Sequence, residues 1–161
     1  MSYPDYSKIN HPKYKKWLRE YVQNLLEKLG ERVVAILVFG SVASGKARFD
    51  EEYQSDVDLL AIVKDLPPDY DRTMYKSSVE GMAGVGFDSI WYTPEEVPKI
   101  VERKPPFILD ALVHGIIIYD TEQFMEKTVE NLKKELLRKG VKETEKAWVW
   151  PTKKFIEEIE F

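Results

Sequence analysis

Two carboxylates two residues apart, Asp56 and Asp58, stand at the opening of an apolar run, Val57 to Val63. A Gly-Ser pair, Gly40-Ser41, closes an earlier run of the same kind, Val33 to Phe39. Both runs are short and rich in β-branched residues, which reads as buried strand. Alternate residues of a strand share a face, so the two carboxylates project together. Like charges held that close repel, and either water or a cation must relieve them. A solvated strand end is the plain reading; a divalent ion is the sharper one. Magnesium suits an all-oxygen site that keeps some waters. Glycine lets backbone approach a ligand closely, and amides beyond it can cradle phosphate oxygens. The chemistry suggested is therefore metal-assisted work on a polyphosphate.

A competing motif overlaps the same residues. Gly40 to Ala47, GSVASGKA, nearly matches a P-loop, and the run ending Lys64-Asp65 imitates the second acidic motif of such proteins. Position 47 is alanine, however, so the hydroxyl that would hold magnesium is missing. Repeated βα units, which that fold needs, are not spelled by the rest of the chain.

Gly40-Ser41, then Gly45, then Ser55-Asp56-Val57-Asp58-Leu59 resemble the signature of the DNA-polymerase-β-like nucleotidyltransferase superfamily. Within it, the likeness is to the small archaeal and bacterial minimal nucleotidyltransferase domains. It covers roughly residues 11–120 and is most specific over 38–63. The loop from Lys46 to Gln54 is longer than in the family's compact members. The resemblance implies that Asp56, Asp58 and Asp88 are catalytic and hold two Mg²⁺ ions, with Asp88 sharing one of them. Asp88 would also be the nearest group to take the acceptor's proton. Gly40 and Ser41 would fix the β- and γ-phosphates, with Lys46 and Arg48 as further nucleotide contacts. The implied reaction moves a nucleoside monophosphate from an NTP, ATP by default, to a hydroxyl. The acceptor would lie on a protein, such as a HEPN ribonuclease toxin for which this chain is the antitoxin, or on a small molecule. A partner or a homodimer groove would complete the site. The alternative is a non-catalytic module on the same fold that binds a nucleotide or a partner and transfers nothing.

Composition sets the frame. The 161 residues suffice for one domain with a real core, and 32% charged residues imply a soluble, charge-rich surface. A net charge of −4 argues against long nucleic acid as a partner. The chain has no cysteine, which excludes disulfide and thiol chemistry and fits a cytoplasmic setting. The two histidines, His11 and His114, are too far apart in sequence to suggest a zinc site. Apolar runs are strand-sized, so no membrane span is expected.

The elements that must position these residues follow in order. After an irregular Tyr-rich start, a helical stripe runs from His11 to Leu29 (Tyr14, Trp17, Leu18, Tyr21, Val22, Leu25, Leu26, Leu29), with Gly30 as its cap. Its aromatic residues are expected in the core rather than on a nucleobase. Ser41 to Ser44 begins a helical turn, which Ser41 itself could cap. Beyond the second strand, Tyr70 to Met82 is helical and Val85 to Tyr92 is a third strand bearing one acid, Asp88. An Asp buried in such a strand needs a partner or a metal; at a sheet edge it would simply face water. Thr93-Pro94-Glu95-Glu96 has the form of a capped helix start, leading to about Arg103. Phe107 to His114 is a second short helix, where His114 is expected to make a local helix-end contact. Gly115 to Tyr119 is a fourth strand, expected to be buried throughout. Thr121 to Arg138 is an amphipathic helix with Phe124, Val129, Leu132, Leu136 and Leu137 near one side. The fold class is α/β (α+β): a small mixed sheet with helices mainly on one face. Residues 1–140 form the nucleotidyltransferase-like domain, with its core at 11–120. Residues 141–161, carrying Trp148 and Trp150, form a tail expected to dock on the body or on a second subunit.

Overall fold

Apolar runs that do not alternate must be covered on both faces, and this requirement shapes the molecule. The structure, a computed structural model, describes residues 2–151. In chain order these form α1 (Pro12–Leu29), β1 (Val33–Phe39), α2 (Gly40–Ser44), β2 (Val57–Val63), α3 (Asp69–Glu80), β3 (Phe87–Tyr92), α4 (Glu96–Arg103), α5 (Pro106–His114), β4 (Ile116–Asp120), α6 (Phe124–Arg138), β5 (Lys142–Glu143) and β6 (Trp148–Val149). β1 and β2 have the bounds expected from the sequence. They pair antiparallel at the centre of a four-stranded sheet of order β3-β2-β1-β4. β3 joins β2 in parallel and β4 joins β1 antiparallel, so the sheet is mixed, as expected.

The helices do not gather on one face. Tyr14, Leu18, Tyr21, Val22 and Leu25 of α1, with Val79 of α3, pack on Val33, Ile36, Val38, Leu59 and Ala61. Val97 of α4, Leu109 and Leu112 of α5, and Met125 and Leu132 of α6 pack on Val34, Leu37, Leu60 and Ile62. Apart from Val34 and Ala35, which share one core at an irregularity in β1, successive apolar residues of β1 and β2 enter opposite cores. One-sided cover would have left half of each central strand in water, at about 1.5–3 kcal/mol for each large side chain.

Both sheet edges are closed to further pairing. Lys76 Nζ donates to the Ser89 carbonyl at 2.6 Å and Arg72 to the Trp91 carbonyl at 3.4 Å, both on β3. On β4 the N-terminal segment does the same work, with the Asp5 amide on the Ile118 carbonyl at 2.7 Å and the Ser2 hydroxyl on the Asp120 carbonyl at 2.9 Å. As an edge strand β4 is only partly covered, and Ile118 alone in it is fully buried. That corrects the expectation of a buried fourth strand.

Side chains set the starts of α4 and α6. Thr93 Oγ1 accepts from the Glu96 amide while Glu96 Oε1 accepts from the Thr93 amide, a reciprocal cap that also receives Arg72 at 2.7 Å. The Asp120 carboxylate accepts from the amides of Met125 and Glu126 and so starts α6. In that helix Leu137 points to water and Met125 takes the core position, a correction to the expected apolar side.

The segment after α6 folds back on the body. β5 pairs with β6, Trp148 Nε1 donates to Asp110 at 2.8 Å, and His114 Nε2 lies 2.7 Å from Glu143. His114 thus bonds the C-terminal hairpin instead of its own helix end. Residues 152–161, the rest of the expected tail, lie outside the described residues. Among the described residues no helix is long and apolar enough to cross a membrane.

Candidate active site

At the end of β1 the chain turns through Gly40, whose φ of +71° lies in the left-handed region. The turn leads at once into α2, a single helical turn whose first amides have no acceptor within the helix. Gly45, at φ +80°, ends it, and its amide and that of Lys46 both reach the Ser41 carbonyl. Ser41 lies inside α2 and is half-buried. Its hydroxyl does not cap the helix, since the capping position falls on Phe39. The capping role is thereby set aside.

β2 brings the carboxylates to this turn. Asp58 sits opposite Phe39 of β1 on one side and opposite Asp88 of β3 on the other. Asp58 alternates with Leu60 and Ile62, and Asp88 with Ile90 and Tyr92, so both side chains leave the face covered by α4, α5 and α6. Gly40 packs directly on the Asp58 carboxylate. A Cβ at position 40 would come within 2.2 Å of Asp58 Oδ2. Only glycine fits there, on both steric and φ grounds.

Asp58 is half-buried, while Asp56 and Asp88 are exposed. Burial pushes the Asp58 carboxyl above its usual range, and the charges of Asp88 and Asp56 push it further. Asp58 therefore feels both neighbouring acids. Asp88 does not have the buried position that would force a partner on it; it is an edge-strand acid open to solvent. Among the described residues no group of three His, Cys, Asp or Glu side chains converges into a ready-made metal site. Two observations nevertheless fit a hard divalent cation. The donor set is all carboxylate oxygen, and the middle carboxylate is held half-buried between two like charges that a cation would relieve.

The raised pKa of Asp58 sets a direction. An acid whose folded pKa lies above its unfolded value costs nothing below the unfolded value, near 3.8, and its full cost appears above the folded one. In metal-free protein, ionising Asp58 therefore lowers stability as pH rises through that window. Thermal melts of wild type and Asp58→Asn without metal should agree at the acid end. They should separate in favour of the variant as pH approaches neutrality.

The expected phosphate contacts fare unequally. Lys46 is exposed just past α2. Arg48 is engaged elsewhere: its guanidinium bonds Asp50 at 2.9 Å and lies over the Tyr53 ring at 5.2 Å. To reach a phosphate it would have to leave both. The loop from Lys46 to Gln54 is itself a small hairpin, closed by a Phe49–Gln54 bridge.

Two groups of residues escaped the sequence reading. Tyr14 reaches the base of that hairpin, with its hydroxyl 2.7 Å from the Ser55 carbonyl. Beneath β3, the buried Glu80 accepts from Tyr21 OH and from Ser89 Oγ, and Ser89 follows Asp88 directly. Burial, reinforced by the Glu80 charge, raises the Tyr21 phenol well above its ordinary value. These partners are 41, 59 and 9 residues apart in the chain, and no local pattern announces them.

No protein-family model matches the chain. Over 121 residues it is 32% identical to "Putative protein adenylyltransferase MJ1305" of Methanocaldococcus jannaschii, covering 72% of this chain and 78% of that protein. Two solved structures are similar in outline. One is a toxin-antitoxin crystal structure with AMP-PNP: TM-score 0.43, 15% identity, 88% of this chain and 97% of that one. The other is a chain from the complex of tri-AMPylated Shewanella oneidensis HEPN toxin with MNT antitoxin: TM-score 0.42, 13% identity, 90% of this chain and 99% of that one. These structural likenesses carry no further argument; the sequence match does. A Gly-Ser turn seated on the second of two neighbouring acids, in a chain this similar to that relative, makes the protein a member of the minimal nucleotidyltransferase family.

Proposed function

We propose that the protein is a Mg²⁺-dependent adenylyltransferase that moves AMP from ATP to a hydroxyl on a partner protein. The observation that carries this reading is the seating of Asp58 between the Gly40 turn and Asp88. That arrangement sets the first turn of α2 beside a row of carboxylates.

The amides of the first turn of α2, with the Ser41 hydroxyl, donate to the outer phosphates of the nucleotide. Gly40 lets the chain turn without a side chain between those amides and Asp58. Asp56, Asp58 and Asp88 would hold the metal, two ions in the full site, which when bound neutralises the triphosphate and lowers the pKa of the attacking hydroxyl. The acceptor oxygen forms a bond to the α-phosphorus as the bond to pyrophosphate breaks, in line. Asp88 is the open member of the set, on the edge strand, and is placed to take the acceptor's proton. In this reading the protein acceptor is a HEPN-type ribonuclease, with this chain as its antitoxin.

The test is a pair of labels. The protein, with a candidate HEPN-type partner and Mg²⁺, is incubated with ATP labelled at the α- or the γ-phosphate. The reading predicts protein-bound label from α only, lost with EDTA. Label from γ would mean a phosphotransferase, and ATP binding with no label from either would mean a non-catalytic module.

A further inference from the structure

Asp56 lies one residue before β2 and has no ladder partner, whereas Asp58 is fixed by strands on both sides. Something other than the sheet must hold Asp56 in place. We propose that Tyr14, on α1, is a positioning residue for Asp56, latching the base of the 48–55 hairpin from below. This rests on the reading of Asp56 as a metal and nucleotide ligand.

The hairpin is a built structure. The Ser55 amide donates to the Arg48 carbonyl at 2.8 Å, and the Arg48 amide to Ser55 Oγ at 2.9 Å. At its tip, Asp50 Oδ1 accepts from the amides of Glu52 and Tyr53. Phe49 anchors it to α1, its ring 5.7 Å from Tyr14 and 5.2 Å from Trp17, with the Lys13 ammonium 4.3 Å above it.

Tyr14 closes the base. Its side chain is fully buried, and its hydroxyl lies 2.9 Å from the Arg48 carbonyl oxygen and 2.7 Å from that of Ser55. One phenolic proton is thus shared between the last two residues that the hairpin strands have in common. The Ser55 carbonyl and the Asp56 amide belong to one planar peptide unit. A bond to the first fixes the plane from which the Asp56 side chain departs. From the other side, the next amide, that of Val57, donates to the Gly86 carbonyl at 2.9 Å. Asp56 is therefore held between α1 and the approach to β3, and the longer loop is a fixed wall of the site.

The experiment is ATP titration calorimetry on the full chain, in Mg²⁺ and in EDTA, for wild type, Tyr14→Phe, Asp56→Asn and the double variant. Amide exchange is followed over residues 46–57. Tyr14→Phe should speed exchange in the hairpin and weaken Mg-ATP binding about tenfold, as loss of a ligand's outer support does. Affinity in EDTA should stay as in wild type. In the Asp56→Asn background Tyr14→Phe should add nothing. Ser55→Ala, which removes the acceptor for the Arg48 amide, should behave alike and stands in if Tyr14→Phe does not fold. Unchanged Mg-ATP affinity, equal loss in EDTA, or an additive double variant would overturn the proposal. If wild type binds no Mg-ATP, it is the functional reading that fails. The latch is then judged by exchange alone, and unchanged hairpin exchange in both variants would overturn it.

Discussion

Asp58→Asn loses nucleotidyl transfer by about a thousandfold or more, a change of several kcal/mol in the barrier, while its metal-free form melts higher than wild type. Both effects come from one placement. Asp58 is the half-buried member of the acid set, and burial and its two acidic neighbours all disfavour its charge. Asparagine keeps the shape against Gly40 and removes that charge. Stability should rise because the charge is held at a cost in the folded protein, and on the proposed role of Asp58 as a metal ligand activity should fall because a ligand oxygen becomes a neutral amide. Steady-state transfer assays and thermal melts on the same preparations check the pair. A variant that loses activity and also loses stability would mean that Asp58 is a structural acid.

The second large effect is at Gly40. Gly40→Ala should reduce transfer at least a hundredfold and cost about 2 kcal/mol or more of stability. A left-handed φ of +71° costs any L side chain about 1–2 kcal/mol. The new Cβ would also stand 2.2 Å from Asp58 Oδ2, so the carboxylate must rotate or the turn must open. Gly45→Ala separates the two causes. Gly45 has φ +80° with nothing within 4 Å of its would-be Cβ, so that variant carries backbone strain without displacing Asp58. It should lose stability of about 1 kcal/mol and keep most of the activity. Chemical denaturation and transfer rates on the two alanine variants decide the matter. Equal activity loss in both would deny Gly40 its special contact.

Much of the scaffold around the candidate site was legible in the residues. β1 could be bounded because it is an unbroken apolar run ended by a turn glycine, and β2 because its apolar run is opened by two acids and interrupted only by the second of them, Asp58. The start of α4 could be read because Thr93 and Glu96 satisfy each other's backbone within four residues. β3 starts two residues later than its apolar pattern suggests, since Val85 is exposed and Gly86 takes a φ of +83° to turn the chain. Helices on both faces were not legible, because an apolar stripe says that a helix is covered and not by which side of the sheet. Arg48 illustrates the limit for the site itself. Its charge beside a phosphate turn suggested a ligand contact, and its nearest acid, two residues on, holds it instead.

The most direct test of the account is calorimetric titration of the purified chain with ATP, with and without Mg²⁺, repeated on the Asp56→Asn/Asp58→Asn double variant. The account predicts binding that depends on Mg²⁺ in wild type and is lost in the double variant, whose thermal melt shows it folded. Mg²⁺-independent binding retained by that variant, or no binding of ATP or of the other three NTPs by wild type, would contradict it.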